Sequence, residues 1–417
     1  MRMALEHTPG LADIEEPRAV VRSTAAHARA RELAARPWRP SEERPHTPLR
    51  RFVAVGDPQA PAEVFFRVLA RHDLIGDDGW LAPDVSLLSI GDHFDWKGGE
   101  PPRASRDGLE ILRWLAAHAP TQTTILLGNH DTARVLELGC ASDADFAEAR
   151  LLAGAIARAE REVEAMRLRA EFARRYPSIP TPQLVSRDFN SYTAAQRALV
   201  VELLLAGRVA LARSGWLPGG RELLFSHAAV TRRELHLLGI DEERRPPAIA
   251  ARLNRFLADA VAAVAPAWRA GERVPLSLAP LHVDGAPGEE AGGLLAHRPV
   301  NPDPRLRPDA DLAWELDAER PRRYDPRELP RGLLQAAGHT PHRTSLHELV
   351  GWLGPNAHAP DGLRTLRVAG DAVVYDTGIL PVEPDEAGLY LIDGEMAKTD
   401  PEAYAVLQLA GWEEPPG

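Results

Sequence analysis

The sequence predicts an α/β fold with a largely parallel start to its sheet, and three observations carry that prediction. From Arg51 the chain alternates apolar runs with helical patterns: "RFVAVGD", a helix over Ala62–Arg71, "VSLLSIGD", a helix over 106–118, then "TTILLGNHD". Alternation of that kind builds βαβ units. Each run breaks off at Gly-Asp or Gly-Asn, which puts polar side chains at the carboxyl edge of a sheet, where α/β proteins bind ligands. The later runs "RELLFSHAAV", "GLLQAAGHTPH", "DAVVYDTGIL" and "GLYLID" read as further short strands.

Residues 1–48 are rich in Arg, Ala and Pro, with helical spacing around 24–35, and read as an N-terminal extension. The main domain is expected over 49–395. It is interrupted over about 141–217 by stretches such as "DADFAEARLLAGAIARAEREVEAMRLRAEFARRY", whose apolar residues recur at helical spacing. A helix is predicted over 249–264, then a Pro- and Asp-rich connection over 279–330, and residues 396–417 read as a C-terminal tail.

Composition narrows the chemistry. The 417 residues are 44% hydrophobic and 26% charged, and no run approaches the roughly 20 apolar residues of a membrane helix. The N-terminal "MRMALEHTPGLADIEEPR" has acidic residues and no apolar signal core, so no membrane association and a cytoplasmic location are expected. Cys140 is the single cysteine, which rules out an intramolecular disulfide and any cysteine-based metal cluster. A net charge of −11 disfavours nonspecific nucleic-acid binding. Lysine is nearly absent; Lys97 and Lys398 are the only two.

In chain order the strand ends supply Asp57 with Gln59, Asp92 with Asp95, Asn129 with His130, then His227 and His339. Carboxylate, amide oxygen and imidazole together suit a pair of hard-to-borderline divalent ions. Asp92, on the middle strand, is the natural bridge; ions about 3.5 to 4 Å apart could hold a hydroxide and clamp a phosphate.

The blocks "GDPQ", "GDHFDWKGG", "GNHD", "SHAAV" and "GHTPH" resemble, in order, the five signature blocks of the calcineurin-like metallophosphoesterases. "GGLLAHRPV" and "VVYDTG" look closest to the phosphoprotein-phosphatase and ApaH-like branch. The resemblance implies a four-layer α-β-β-α sandwich with the helical insertion as a cap over or beside the metals. It implies two divalent ions, manganese, iron or zinc, held by Asp57 and Gln59 at the first site, by the bridging Asp92, and by Asn129, His227 and His339 at the second. It further implies His130 as general acid or as a stabiliser of the phosphoryl oxygen, oriented by Asp95, and Arg298 either on the substrate phosphate or in a loop ion pair. The expected reaction is hydrolysis of a phosphate ester by a metal-bridged hydroxide, with a phosphomonoester, a phosphoprotein or a nucleotide polyphosphate as the phosphorylated substrate.

The chain departs from the family pattern at three points. Gln59 stands where most relatives have histidine; its carbonyl oxygen either ligates a metal or its amide only hydrogen-bonds a metal-bound water. Asp95-Trp96-Lys97-Gly98 lacks the usual arginine, leaving Lys97 as a substrate contact or a solvated lysine, and Trp96 as packing or a stacking wall. Position 341 is Pro, with His342 one residue late, so His342 is not expected to be a ligand. His93 and Asp131 are expected to support the site. A noncatalytic scaffold on a degraded phosphatase fold, or a nuclease, are the competing readings.

Overall fold

The computed structural model describes residues 18–36, 48–285, 289–359 and 362–412, and its class is mixed α/β. Strands β1 (Arg51–Val55), β2 (Val85–Ser89) and β3 (Thr123–Ile125) run parallel, with β2 in the middle, in the register Val53↔Leu87 and Leu88↔Thr124. A seven-stranded sheet faces this one. Its parallel centre is β5 (Glu222–Ser226), Leu334–Ala337 and Ala387–Leu391. Antiparallel strands flank that centre: β4 (Ala212–Trp216) beside β5, and Arg364–Ala369 with Ala372–Thr377 on the other side.

The two-residue side-chain period of a strand explains how the layers assemble. Ala54, Leu88 and Leu126 point inward and meet Leu223, Phe225, Leu334, Ala336 and Tyr390 between the sheets. Their neighbours Val53, Val55 and Leu87 point outward, into a cluster with Phe65, Phe66 and Leu69 of α2 (Ala62–Arg71) and Ile111, Trp114 and Leu115 of α3 (Pro101–Ala117). Because both faces are covered, the parallel strands read as unbroken apolar runs. On the second sheet Leu224 joins the cluster of Ile249, Leu253 and Leu257 from α9 (Pro246–Arg269), which follows a short α8 (Arg232–Leu237).

Helix α1 (Arg18–Ala34) begins earlier than the spacing at 24–35 suggested, and it buries Ala26, Ala30 and Leu33 on the main domain. Residues 1–17 and 37–47 of the expected extension lie outside the described residues. After β3 comes a single turn, α4 (Asn129–Thr132). The insertion follows as α5 (Asp143–Arg158) and α6 (Glu162–Arg175), started by a Ser142–Asp145 capping box, around a core of their own: Phe146, Ala149, Leu168, Phe172, Val185 and Tyr192.

Two expected boundaries need correction. Helix α7 (Ala194–Leu205) sends Leu199, Val200, Leu203 and Leu204 into the main core, and β4 belongs to the larger sheet, so the separate helical unit ends near Tyr192 and not at 217. Helical spacing reports an apolar face without saying which core it meets. Of the expected tail over 396–417, the described residues 396–412 are not one: Leu407–Leu409 pairs with β1, and Gly411–Trp412 pairs with β4. Strands of three and two residues are too short to display an alternation. Among the described residues no helix is long and apolar enough to cross a membrane.

Since Leu407 is buried between the sheets, Leu407→Ala should lower unfolding free energy by about 3 kcal/mol in urea titration. An unchanged midpoint would mean that this segment does trail free.

Candidate metal centre

Six parallel strands, three from each sheet, end at one place. β1 delivers Asp57, β2 Asp92, β3 Asn129, β5 His227, Leu334–Ala337 His339, and Ala387–Leu391 Asp393. Asp57, Gln59, Asp92, Asn129, His130, Arg298, His339 and Asp393 all line one cavity of about 890 Å³.

The approach is so close that it selects glycine. A Cβ on Gly338 would collide with Asp57 Oδ1, and one on Gly128 with Asp92 Oδ1. These two glycines therefore make room for carboxylates of other blocks. Asp92, Asp95 and His339 themselves sit at φ of 57°, 69° and 61°, a left-handed conformation that persists in non-glycine residues only where the surroundings enforce it. Asp131 enforces it at the second strand end. Its carboxylate accepts the backbone N–H groups of Asp92, His93 and Gly128, each at 2.9 Å, and pairs with His93 Nδ1 at 3.0 Å. His93 and Asp131 thus brace two strand ends together.

Backbone carbonyls fix the histidine tautomers. His227 Nδ1 donates to Ile90 O (3.1 Å) and His339 Nε2 donates to Ala296 O (2.8 Å), leaving lone pairs on His227 Nε2 and His339 Nδ1 of the neutral rings. Those two nitrogens are 3.2 Å apart. Asn129 Oδ1 lies 3.2 Å and Asp92 Oδ1 3.3 Å from the same His227 Nε2. Four acceptors with no donor among them repel one another unless a cation sits between them, so the donor set fits a divalent metal. Burial, with Arg298 and His227 nearby, holds the His339 pKa well below the ordinary histidine range, in its ligating form.

The first-strand side has the same character. Asp57 is buried; its Oδ2 accepts the His339 N–H at 2.9 Å, while Oδ1 has no partner. Burial, then the charges of Asp393 and Asp92, push its pKa well above the carboxylate range, and Asp393 is raised to about 6 by burial, Glu395 and Asp92. The Gln59 side-chain nitrogen is also buried and unpartnered. Rotating that amide by 180° presents its oxygen instead, so Gln59 can serve as a donor to a cation.

Beside the acceptor cluster, His130 Nδ1 donates to Asp95 Oδ2 at 3.0 Å, and His130 Nε2 stands 3.9 Å from Asp92 Oδ2. Burial works against a charged His130, but Asp92 and the Asp95 hydrogen bond outweigh it and raise its pKa. Asp95 is itself opposed by burial yet held at about 2 by Arg134 and His130. Arg298 donates from Nε to His339 O (3.2 Å) and forms no ion pair among the described residues. Lys97 is exposed on the cavity wall. Trp96 is packing: it is buried, with Nε1 donating to Asp107 Oδ2 at 3.1 Å. His342 instead engages Tyr375 and Arg364, away from the cluster.

Sequence reasoning missed three charged residues here. Asp393 ends "GLYLID" as the other ligand candidates end their strands, so the same rule could have found it. Arg134 follows His130 by one helical turn, a weak signal. Glu137, buried on the cavity wall with Oε2 unpartnered, had no signal; burial and Asp284 raise it to about 7. Compared with known proteins, the chain matches no family model, no curated protein and no solved structure.

Folded Glu137 keeps a proton that the unfolded chain releases above about pH 4.5. Its stabilising contribution is therefore full below that pH and is lost as pH rises through about 7. In metal-free protein, Glu137→Gln should exceed the wild type in unfolding free energy by up to about 3 kcal/mol at pH 8 and match it at pH 4. A pH-independent difference in denaturant titrations would remove Glu137 as the titrating group.

Proposed function

We propose that this chain is a metal-dependent phosphoesterase built on the α-β-β-α sandwich plan of the calcineurin-like metallophosphoesterases. One observation carries the reading: a cluster of four acceptors at four strand ends stands beside the Asp95–His130 pair and an arginine that forms no ion pair among the described residues. Asp57, Gln59 and Asp92 would hold one divalent ion, and Asp92, Asn129, His227 and His339 a second; Asp393 is a further candidate ligand on the first side. Ions bound there would activate water and polarise the phosphoryl group.

The chain's own side chains supply the rest. Arg298 places a cation beside His339 with no carboxylate in an ion pair with it among the described residues, which suits a nonbridging phosphate oxygen. Lys97 lines the same cavity and can extend that field toward the mouth. With its pKa raised, His130 as imidazolium keeps one proton on Nδ1 against Asp95 and presents the other on Nε2 to the cavity, where it can pass to a departing oxygen. The substrate is a phosphate ester, either a phosphomonoester or a nucleotide polyphosphate.

Two outcomes test this reading. Manganese-reconstituted protein should hold two ions per chain by metal analysis and hydrolyse p-nitrophenyl phosphate, both lost on chelation; Asp92→Asn should lose most of the metal and at least about 100-fold in kcat. A chain that retains no divalent ion under saturating manganese is not such an enzyme. His130→Ala should cost an alkyl phosphate about 100-fold in kcat and an aryl phosphate far less, because only a basic alkoxide needs the proton. Equal losses would assign His130 to charge stabilisation alone.

A further inference from the structure

We infer that the helical insertion is a working part of the proton-donor pair and not only a cover, with Ser191 and Arg134 as the positioning residues that hold Asp95 on His130. The inference rests on the proposed phosphoesterase reading and deepens it.

A carboxylate offers about four lone-pair positions, and Asp95, fully buried, has four donors on it. Oδ2 accepts from His130 Nδ1 (3.0 Å) and Arg134 Nη1 (2.6 Å), and Oδ1 from the Ser191 backbone N–H (2.7 Å) and Ser191 Oγ (3.2 Å). Half of that set comes from residue 191, on the far side of the insertion in sequence. Arg134 closes the ring: its guanidinium also donates to His130 O and Ser191 O, each at 2.6 Å, between the faces of Phe94 (4.7 Å) and Phe189 (5.6 Å). Phe189 further stands edge-on to His130 at 5.0 Å.

The segment is tied at both ends. Asn190 donates to Trp96 O (3.0 Å), next to Asp95, and accepts from Arg150 of α5 (3.0 Å). Ser191 Oγ accepts from Gln196 Nε2 of α7 (3.2 Å). A covering domain would touch the cavity mouth through side chains alone. Here the insertion's own main chain binds the residue that orients the acid, and α5 sets where that main chain lies.

The test uses full-length, manganese-loaded protein with p-nitrophenyl phosphate and the alkyl ester β-glycerophosphate. Ser191→Pro deletes the N–H and the hydroxyl; Ser191→Ala keeps the N–H. Ser191→Pro should lose about 30-fold or more in kcat on the alkyl ester and within about 3-fold on the aryl ester, with metal content unchanged, while Ser191→Ala, which gives up only the longer hydroxyl contact, should show the same selectivity with a several-fold smaller loss. In metal-free protein, nitrogen-15 spectra of labelled histidine at fixed pH should show the protonated His130 Nδ1 in wild type and Ser191→Ala, and its loss in Ser191→Pro. Should Ser191→Pro fail to melt cooperatively, Arg134→Lys carries the same comparison. Equal losses on both esters, or an unchanged His130 spectrum, would overturn the inference. A wild type inactive on both esters would sink the phosphoesterase reading, and the spectra alone would then decide the positioning.

Discussion

Like charges and lone pairs crowded into a buried space set the terms for this structure. Asp57, Asp92, Asp393 and the bare nitrogens of His227 and His339 meet at the carboxyl ends of strands from both sheets, beside Arg298, which forms no ion pair among the described residues. Burial and mutual repulsion push two of the carboxylates toward their neutral forms. A divalent cation placed among them would relieve these conflicts together, and the donor set fits one.

Much of the surrounding fold makes that convergence possible. Two sheets packed through small and medium apolar residues, Ala54 and Ala336 among them, let strands from opposite layers end within reach of one another. Missing Cβ atoms at Gly128 and Gly338 admit the carboxylates, and Asp131 braces the turns after β2 and β3. The strained φ values of Asp92, Asp95 and His339 are the local consequence of holding side chains where the chain would not place them by itself.

The Asp95–Arg134 pair extends the same logic outward. Both side chains are fully buried, so neither can lose its partner without leaving an uncompensated charge. Their remaining hydrogen bonds run to His130 and Ser191. This ties the insertion to the contacts that hold His130.

Most of the candidate cluster was legible in the sequence because its physics is local: an apolar run broken off by a polar residue, often directly after glycine, announces a buried strand ending in a donor, and the order of such breaks survives without coordinates. Asp57, Asp92, Asn129, His227 and His339 all came from that rule, and Asp393 obeys it too. Only the tertiary structure decided what depends on distant pairing. Whether α7 belongs to the insertion or the main core, whether residues 407–412 trail or pair, which oxygen of Asp95 meets Ser191 and how Glu137 comes to be buried are fixed by contacts between segments tens to hundreds of residues apart. Residue spacing encodes which face of an element is apolar, while the partner of that face is chosen by the packing of the whole chain.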